Sequence, residues 1–568
     1  MSDARADLAD WRRAAGENRF DTDPFFGRLL RRVLGDRYPA WETHLRAVGT
    51  TLGPAHDARI SEISRDVNLP ALRRHDADGR PMEEVVFHPA YHEVGRAFWA
   101  SGVLSVLAEP STEVGSGAIA YLLDQNGEAG HACPVACTAG AIKLLQRVGT
   151  DDQRRRYLPR LLESDYDRRL HAAQFVTEIQ GGSDVGSNAC RAQPEPGRPG
   201  WYRITGEKWF CSVADAGLFV VSARLDGAAS GTGGIGLFLV ERTHDGAPNG
   251  FALRRLKSKL GTRSMATGEI EFAGALGEAI GPLEDGFRNL VGTVLDTSRV
   301  HNALASCGLM RRAFSEARAF ARTRRAFERP IVEFPAVQET LARMRLRAET
   351  GLLTTFRILA LGDRCETSGS DEGLVAARRI AVMINKYGTA ISGAWNAREG
   401  IELLGGNGTI EDFSPLPTLY RDAMVLESWE GTHNTLCAQV WRDFIVRALH
   451  APWLKLVAEE VGALDHAGLA GHAALARDLF GEVAGRIERL LLSDPQTAAA
   501  HVRHVVDRMC RLTDWVCLLT QARWELEINE PATALDLVEL YRRTVLEPVD
   551  PQDDPGLIPL RRRLATSP

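Results

Sequence analysis

Long apolar runs are scarce in this chain of 568 residues, and none approaches the roughly 18 consecutive apolar positions of a membrane-spanning helix. An integral helical membrane protein is thereby excluded. The opening stretch MSDARADLADWRRAAGENRF is charged and holds no apolar segment of the secretion-signal kind, so a cytoplasmic location is expected. Charge of one sign is also in short supply. Lys and Arg number 68 against 74 Asp and Glu, and a net charge of −6 supplies no overall field toward nucleic acid or anionic lipid. Cysteine is sparse, odd in number and scattered: Cys133, Cys137, Cys190, Cys211, Cys307, Cys365, Cys437, Cys510 and Cys517. Such thiols read as buried side chains of a reducing compartment, not as a disulfide framework. Cys133 and Cys137 could share a helix face, but no second pair stands at zinc spacing. Internal repeats and long low-complexity tracts are missing too, as are a P-loop and a Gly-x-Ser-x-Gly elbow.

What is present changes character along the chain. Residues 1–171 read as an N-terminal α domain, with apolar positions at helical spacing in FFGRLLRRVLGDRY and AGAIKLLQRVGTDDQRRRYLPRLLES. From 172 to 285 come short runs rich in Val, Ile, Phe and Tyr, broken by Gly, Pro and Asp: AAQFVTE, WYRITGEKWFCS, LFVVSARL, GIGLFLVERT, FALRRLK and GEIEFAG. Regular short strands of this kind predict a central β-barrel or sandwich. The helical period returns over 286–444 in three long stretches with short breaks, which suggests a helical bundle. Residues 445–568 form an additional helical region ending in a Pro/Asp-rich tail. The fold class is α+β, in the order α, β, α, with extra helices at the end.

Several motifs invite chemistry. Gly231–Gly236 spells G-x-G-x-x-G, but the dinucleotide fingerprint needs a strand before it and a helix after it. Here LFLVERT follows, a strand pattern, so a flexible loop is the better reading. His501 and His504 stand at i, i+3 with no third ligand near them and read as solvated helix residues. VTEIQGGSDVGS (176–187) gathers Thr177, a glycine pair and Ser183 in one loop, a composition that exposes backbone N–H groups and hydroxyls to an electron-rich ring or a phosphate. GEKWFCS adds an aromatic face and a hydroxyl on a strand, and LLGGNG puts glycines at a helix end where backbone can be approached closely. LESWEGTHNTL (426–436) sets a single carboxylate, Glu430, between Trp429 and Gly431. Each of these alone is more often a plain turn or core strand. Their order is the informative fact.

Read in series, VTEIQGGSD, GEKWFCS, KLGTRSMATGEIEF, TSRVHNALASCGLMRRAF, RTRRAFERPI, IELLGGNG and LYRDAMVLESWEGT resemble the acyl-CoA dehydrogenase family over roughly 170–440. LPALRRHDADGRPMEEVVFHPAYHEVGRAF, KWFCSVADA and the extra C-terminal helices are similar to its AidB-like branch, that of the bacterial alkylation-response proteins. The resemblance implies an α-helical domain, a β domain and a four-helix bundle, with FAD gripped between the last two. On matched motifs, Val176, Thr177, Gly182 and Ser183, with the loop from Gln174, would line the flavin ring and ribityl chain, and Ser183 would also face substrate. Phe210 takes the place of a ring-stacking tryptophan, followed by Cys211 and by Ser212 in the place of the hydroxyl facing flavin N5. Arg324 and Phe327 match residues reaching the FAD of a neighbouring subunit, which implies a homo-oligomer, a dimer of dimers. Glu402, Gly405 and Gly406 match the adenine-end loop. Trp429 and Gly431 would border the ring, and Thr432 and Asn434 the diphosphate. Asp296 and Arg299 match the start of a helix bordering the acyl-CoA cavity.

Glu430 then matches the catalytic base. An α-proton of a thioester is weakly acidic, so a base must take it while hydride leaves the β-carbon for flavin N5. A carboxylate in a dry, apolar surround holds protons more strongly, and a backbone N–H at Gly431 could stabilise enolate-like charge. Two departures stand out: Pro335 replaces a Gln that contacts FAD in the family, and Ser298 stands where some members carry an alternative base. The implied function is an FAD-dependent acyl-CoA dehydrogenase passing electrons to an electron-transfer flavoprotein or another acceptor, on acyl-CoA or a carrier-bound thioester. The alternative is an AidB-like DNA-associated flavoprotein of the alkylation response with vestigial dehydrogenase activity, and an oxidase or desaturase on the same scaffold is a third. Residues 451–568 carry thirteen Lys and Arg against eighteen Asp and Glu, a difference of −5, so weak DNA binding is expected.

Overall fold

A computed structural model describes residues 4–15, 18–367, 371–530 and 533–567. It contains two compact units. One comprises 1–57, 110–127 and 302–568, and the other 58–109 and 128–301. Compactness therefore cuts the chain differently from the four-part division by sequence order.

The second unit is built on a seven-stranded sheet. Its strands are Ala172–Phe175, Arg191–Pro194, Trp201–Ser212, Leu218–Leu225, Ile235–Glu241, Phe251–Leu256 and Thr267–Ala279. Pairing runs around a closed ring. Thr267–Ala279 pairs with Trp201–Ser212 and with Ile235–Glu241, and Leu218–Leu225 bridges Ile235–Glu241 to Arg191–Pro194, which returns to Trp201–Ser212. Ala172–Phe175 and Phe251–Leu256 stand at the ends of the strand path, against Leu218–Leu225 and Thr267–Ala279, and the predicted strands WYRITGEKWFCS and LFVVSARL match their observed bounds. Gly231 to Gly236 leads directly into the strand Ile235–Glu241, so no helix N-terminus follows it. The helix Ala132–Val148 packs its Thr138 hydroxyl on the Ala172 N–H at 3.1 Å.

One element departs from the helical reading of the first 171 residues. Ala71–His75 and Pro81–Val86 form an antiparallel hairpin. Its strands are charged and short, so burial on one face does not show as alternation. The turn does carry a signal, since Asp76 accepts from the N–H of Asp78 and of Arg80 around Gly79 at φ +77°.

The first unit is helical. Its long helices are Asp296–Thr323 (from residue 302), Pro335–Thr367, Glu372–Leu404 and Pro495–Glu527, with Leu416–Ser428 and His433–Arg447 between them. Pro335, the departure noted above, opens a helix, where a missing N–H costs nothing. Several buried charges here are paired: Arg311 meets Asp23 at 3.3 Å, and Arg312 meets Glu316 at 2.8 Å and Asp57 at 3.0 Å. Among the described residues, no disulfide joins the nine cysteines, and no helix is long and apolar enough to cross a membrane.

Candidate functional site

The residues matched to cofactor and substrate fall in both units, and each group is described within its own. In the β unit, the strand Trp201–Ser212 carries a bulge. Cys211 pairs with Gly268 and Lys208 with Ile270, so Trp209 and Phe210 together oppose a single residue. A bulge flips the alternation of the strand. Lys208 and Cys211 consequently both face inward, while Phe210 is 53% exposed and Ser212 lies on its outward side. The Lys257 ammonium sits 3.4 Å from the Trp209 ring centre and 4.9 Å from that of Phe210, fixing both rings by cation–π attraction. Ser212 Oγ lies 3.3 Å from Thr267 Oγ1, which accepts from Lys259 at 2.9 Å.

Cys211 is the one matched residue whose side chain the structure removes from this surface. It is fully buried and its thiol is pushed well up by burial, so only its backbone could touch a ligand. Gln174 is constrained as well: its amide donates to the Cys137 carbonyl at 3.4 Å and accepts from Ser298 Oγ at 3.2 Å. Ser298 thus has an occupation other than a base. Asp296 and Arg299 are both buried, at 7% and 1% exposure, on the first turn of the helix Asp296–Thr323.

The Val176–Ser183 loop is held by a buried ion pair that sequence reasoning passed over. Lys208 Nζ meets Glu178 Oε1 at 2.7 Å and donates to the Val176 carbonyl at 3.1 Å. Glu178 also accepts the N–H of Ala189 and Cys190. Burial works to raise the Glu178 carboxyl, but the Lys208 ammonium and these donors overcome it and hold it below the usual carboxylate range. The Trp209 N–H donates to the Thr177 carbonyl at 2.9 Å, tying the loop to the bulge. A Cβ on Gly182 would come within 2.8 Å of Thr177 Oγ1, so only glycine lets the loop fold onto that hydroxyl.

In the helical unit, Glu430 stands in a turn between the helices Leu416–Ser428 and His433–Arg447. Its φ is +57°, a left-handed conformation rare for a residue with a Cβ, and Gly431 follows at +108°. Trp429 ends the first helix through its N–H to the Val425 carbonyl, and Thr432 occupies the N-cap position of the second without a side-chain capping bond. Thr432 Oγ1 lies 3.0 Å from Thr435 Oγ1, and Asn434 Oδ1 accepts from Arg503 at 3.5 Å. Burial lowers the His433 imidazole below its ordinary range even though Glu427 lies 3.2 Å away.

Two further matched features lie in the same unit. Glu402 and Gly405 end the helix Glu372–Leu404, with Gly405 at φ +61°. No heavy atom lies within 4 Å of where a Cβ on Gly405 or Gly406 would sit, so this backbone is open to a ligand. Arg324 precedes a two-residue hairpin loop, Phe327–Glu328, whose φ values are +50° and +68°. Both loop residues of a type I′ turn need positive φ, a conformation normally given to Gly or Asn. Here the tip carries a phenylalanine 89% exposed.

Within the β unit the exposed aromatic face and hydroxyls suit a flat conjugated ring, and within the helical unit the open glycines and the N-terminus of a fifteen-residue helix suit a diphosphate. A closed β-barrel, a long-helix bundle and this donor set define a flavoprotein oxidoreductase of the α–β–α kind. The family pattern described as Acyl-CoA dehydrogenase, middle domain matches residues 173–275, and that described as Acyl-CoA dehydrogenase, C-terminal domain matches 284–445. Adaptive response protein AidB N-terminal domain matches 11–168. The chain is 35% identical over 415 residues to the putative acyl-CoA dehydrogenase AidB of Escherichia coli K12, covering 71% of this chain and 74% of that protein. It is also similar to the crystal structure of Caenorhabditis elegans ACDH-11 in complex with C11-CoA, at 27% identity and a TM-score of 0.85, with 94% and 92% of the two chains covered. The fold is shared with an acyl-CoA dehydrogenase from Bacillus anthracis complexed with FAD, at 19% identity and a TM-score of 0.67 over 84% and 86% of the chains. The chain belongs to the acyl-CoA dehydrogenase family, in its AidB-like branch.

Proposed function

We propose that this flavoprotein introduces the α,β double bond into acyl thioesters of coenzyme A, with Glu430 as the base. The observation that carries the assignment is the conformation of Glu430: a carboxylate held at φ +57° on a braced turn, where a relaxed surface residue would not sit. Bound FAD supplies the acceptor for the hydride that leaves the β-carbon. Glu430 takes the α-proton, and the pair of electrons left on the α-carbon closes the double bond as the hydride departs. Phe210 and Ser212 offer the ring its aromatic face and hydroxyl. Thr177, Gly182 and Ser183 border it, and Thr432 and Asn434 at the start of the helix His433–Arg447 suit a diphosphate. Trp429 walls the base from water.

The substrate class rests on ACDH-11, whose crystal structure holds C11-CoA. Electrons pass on to an electron-transfer flavoprotein in a cytoplasmic setting, and the protein works as a homotetramer in which Arg324 and Phe327 complete a neighbour's FAD site. The strained, exposed Phe327 supports that assembly. The acidic balance of 451–568 speaks against a DNA-binding role.

The test is anaerobic mixing of the FAD-loaded protein with a panel of acyl-CoAs while the flavin absorbance is followed. Glu430→Gln is expected to keep FAD and ligand but to slow reduction on the order of 10²- to 10⁴-fold. Reduction of the variant within a few-fold of wild type would remove Glu430 as the base.

A further inference from the structure

We infer that Lys386 is a positioning residue for Glu430, holding the base in its strained conformation through two carbonyls of the turn; this rests on Glu430 being the base. Lys386 lies on the helix Glu372–Leu404 and is fully buried. Its ammonium donates to the Glu427 carbonyl at 3.0 Å and to the Gly431 carbonyl at 2.9 Å. Those two groups bracket Glu430 on either side, so the distance between the ends of the turn is fixed by one rigid cation.

The placement has an electrostatic logic. Glu427 is among the last residues of the helix Leu416–Ser428, whose terminal carbonyls lack intrahelical donors and carry the negative end of the helix dipole. A cation is favoured there, and the two charge-assisted hydrogen bonds offset part of the cost of burying it. Other contacts hold the same turn. Asn302 Nδ2 donates to the Leu426 carbonyl at 3.0 Å, and His433 Nε2 lies 3.2 Å from Glu427 Oε1. Tyr387, next to Lys386, sets its ring edge-on to His433 at 5.3 Å. Its hydroxyl donates to Asp507 at 2.6 Å and accepts from Arg503 at 3.2 Å, both on the helix Pro495–Glu527 of the additional C-terminal region. The added helices therefore brace the mount of the base from behind.

A left-handed non-glycine residue is strained and persists only while its surroundings over-determine it. Without the Lys386 tether, residue 430 can relax toward ordinary backbone, and its carboxylate shifts. A misplacement of about 1 Å is worth about 10²-fold in rate. Lys386 acts on the base through backbone carbonyls, so substrate affinity should not follow.

The experiment compares wild type, Lys386→Met and Glu430→Gln as FAD-loaded full chains. Readouts are kcat and KM with an acyl-CoA that bleaches the wild-type flavin, exchange of that substrate's α-proton in D₂O, and amide hydrogen exchange over residues 427–433. For Lys386→Met we expect kcat and α-proton exchange to fall 10- to 100-fold, KM to change less than about threefold, and the 427–433 amides to exchange faster, with FAD content retained. Unchanged kcat, or a loss confined to KM, overturns the inference. Retention of α-proton exchange by Glu430→Gln would instead overturn the assignment of the base and leave the brace to be judged by amide exchange alone. Should Lys386→Met fail to accumulate as folded protein, Lys386→Gln keeps an N–H donor but loses the charge. Faster 427–433 exchange with a lowered kcat then supports the tether, and wild-type values of both refute it.

Discussion

Lys208→Met should destabilise the β unit out of proportion to the one contact it removes. Lys208 is 1% exposed and Glu178 is 3% exposed, and the lysine bonds that carboxylate at 2.7 Å, the Val176 carbonyl at 3.1 Å and the Ser222 hydroxyl at 3.3 Å. Methionine fills nearly the same volume, so the cavity term is small. What remains is a carboxylate buried without its cation, and breaking such a pair costs about 3–5 kcal/mol. For a cooperative unit of 150–250 residues this lowers the melting temperature by roughly 6–20 °C at about 2–4 °C per kcal/mol. Glu178 then takes up a proton, and its linkage changes sign. In the wild type the carboxyl is held below its ordinary 4.5. Its stabilisation is therefore present above that pH and lost as pH falls through the folded value. In the variant, desolvation is opposed only by the Ala189, Cys190 and Gln180 donors, so the folded pKa is expected to move above 4.5 and stability to decline as pH rises from there through the folded value. Melting curves by differential scanning calorimetry from pH 4 to 8, with FAD saturating, distinguish the two slopes. Lys208→Met/Glu178→Gln should regain more than half of the loss, because the uncompensated charge is gone. A single variant within about 1 kcal/mol of wild type, or a double variant no better than the single, would refute the argument from buried charge.

Two further outcomes follow from local geometry. Asp514, bonded by the Tyr541 hydroxyl at 2.9 Å, is pushed up by burial to about 7 from an ordinary 3.8, so its neutral form is favoured in the fold. Stability from this group is full below 3.8 and is lost as pH rises through about 7, with a ceiling of about 4 kcal/mol at about 1.4 kcal/mol per pH unit. Asp514→Asn should flatten the melting-temperature slope between those values and melt higher at pH 8; an unchanged slope would mean that the carboxyl is already ionised in the fold. Phe327→Gly should leave the fold within about 1 kcal/mol, since glycine adopts the required φ without strain, yet lose FAD or dissociate on light scattering coupled to gel filtration. A flavin-loaded tetramer identical to wild type would show that the exposed ring has no partner.

The parts of this molecule that a sequence shows well are those set by neighbours in the chain. Strand bounds at Trp201–Ser212 and Leu218–Leu225 follow from β-branched and aromatic runs ended by turn residues, and the long helices follow from the 3.6-residue period. The hairpin Ala71–Val86 stays hidden because its face is read by distant groups. Leu253 donates its N–H to Glu83, and Arg74 Nε donates to the Leu253 carbonyl at 3.1 Å, neither of which leaves a periodic trace. The inward side chain of Cys211 is hidden for a different reason. Alternation counted from Lys208 would put Cys211 on the opposite face, but the bulge at Trp209 and Phe210 turns both Lys208 and Cys211 inward, and the bulge is set by the partner strand.

The same limit hides the roles of the two buried lysines, Lys386 and Lys208. IAVMINKYGTAI and KWFC each place one lysine beside apolar residues, and a lone lysine there is almost never fully buried without partners. That much was a legible warning. The partners were not legible, because Lys386 meets carbonyls 41 and 45 residues away and Lys208 meets Glu178 from 30 residues on. Motif residues such as Thr177 and Glu430 are read from the sequence because their chemistry repeats among proteins that do the same work. The residues that hold them in place act through backbone groups that every residue possesses. A lysine bonded to two carbonyls therefore leaves no mark at the carbonyl positions, and only the fold brings the three together.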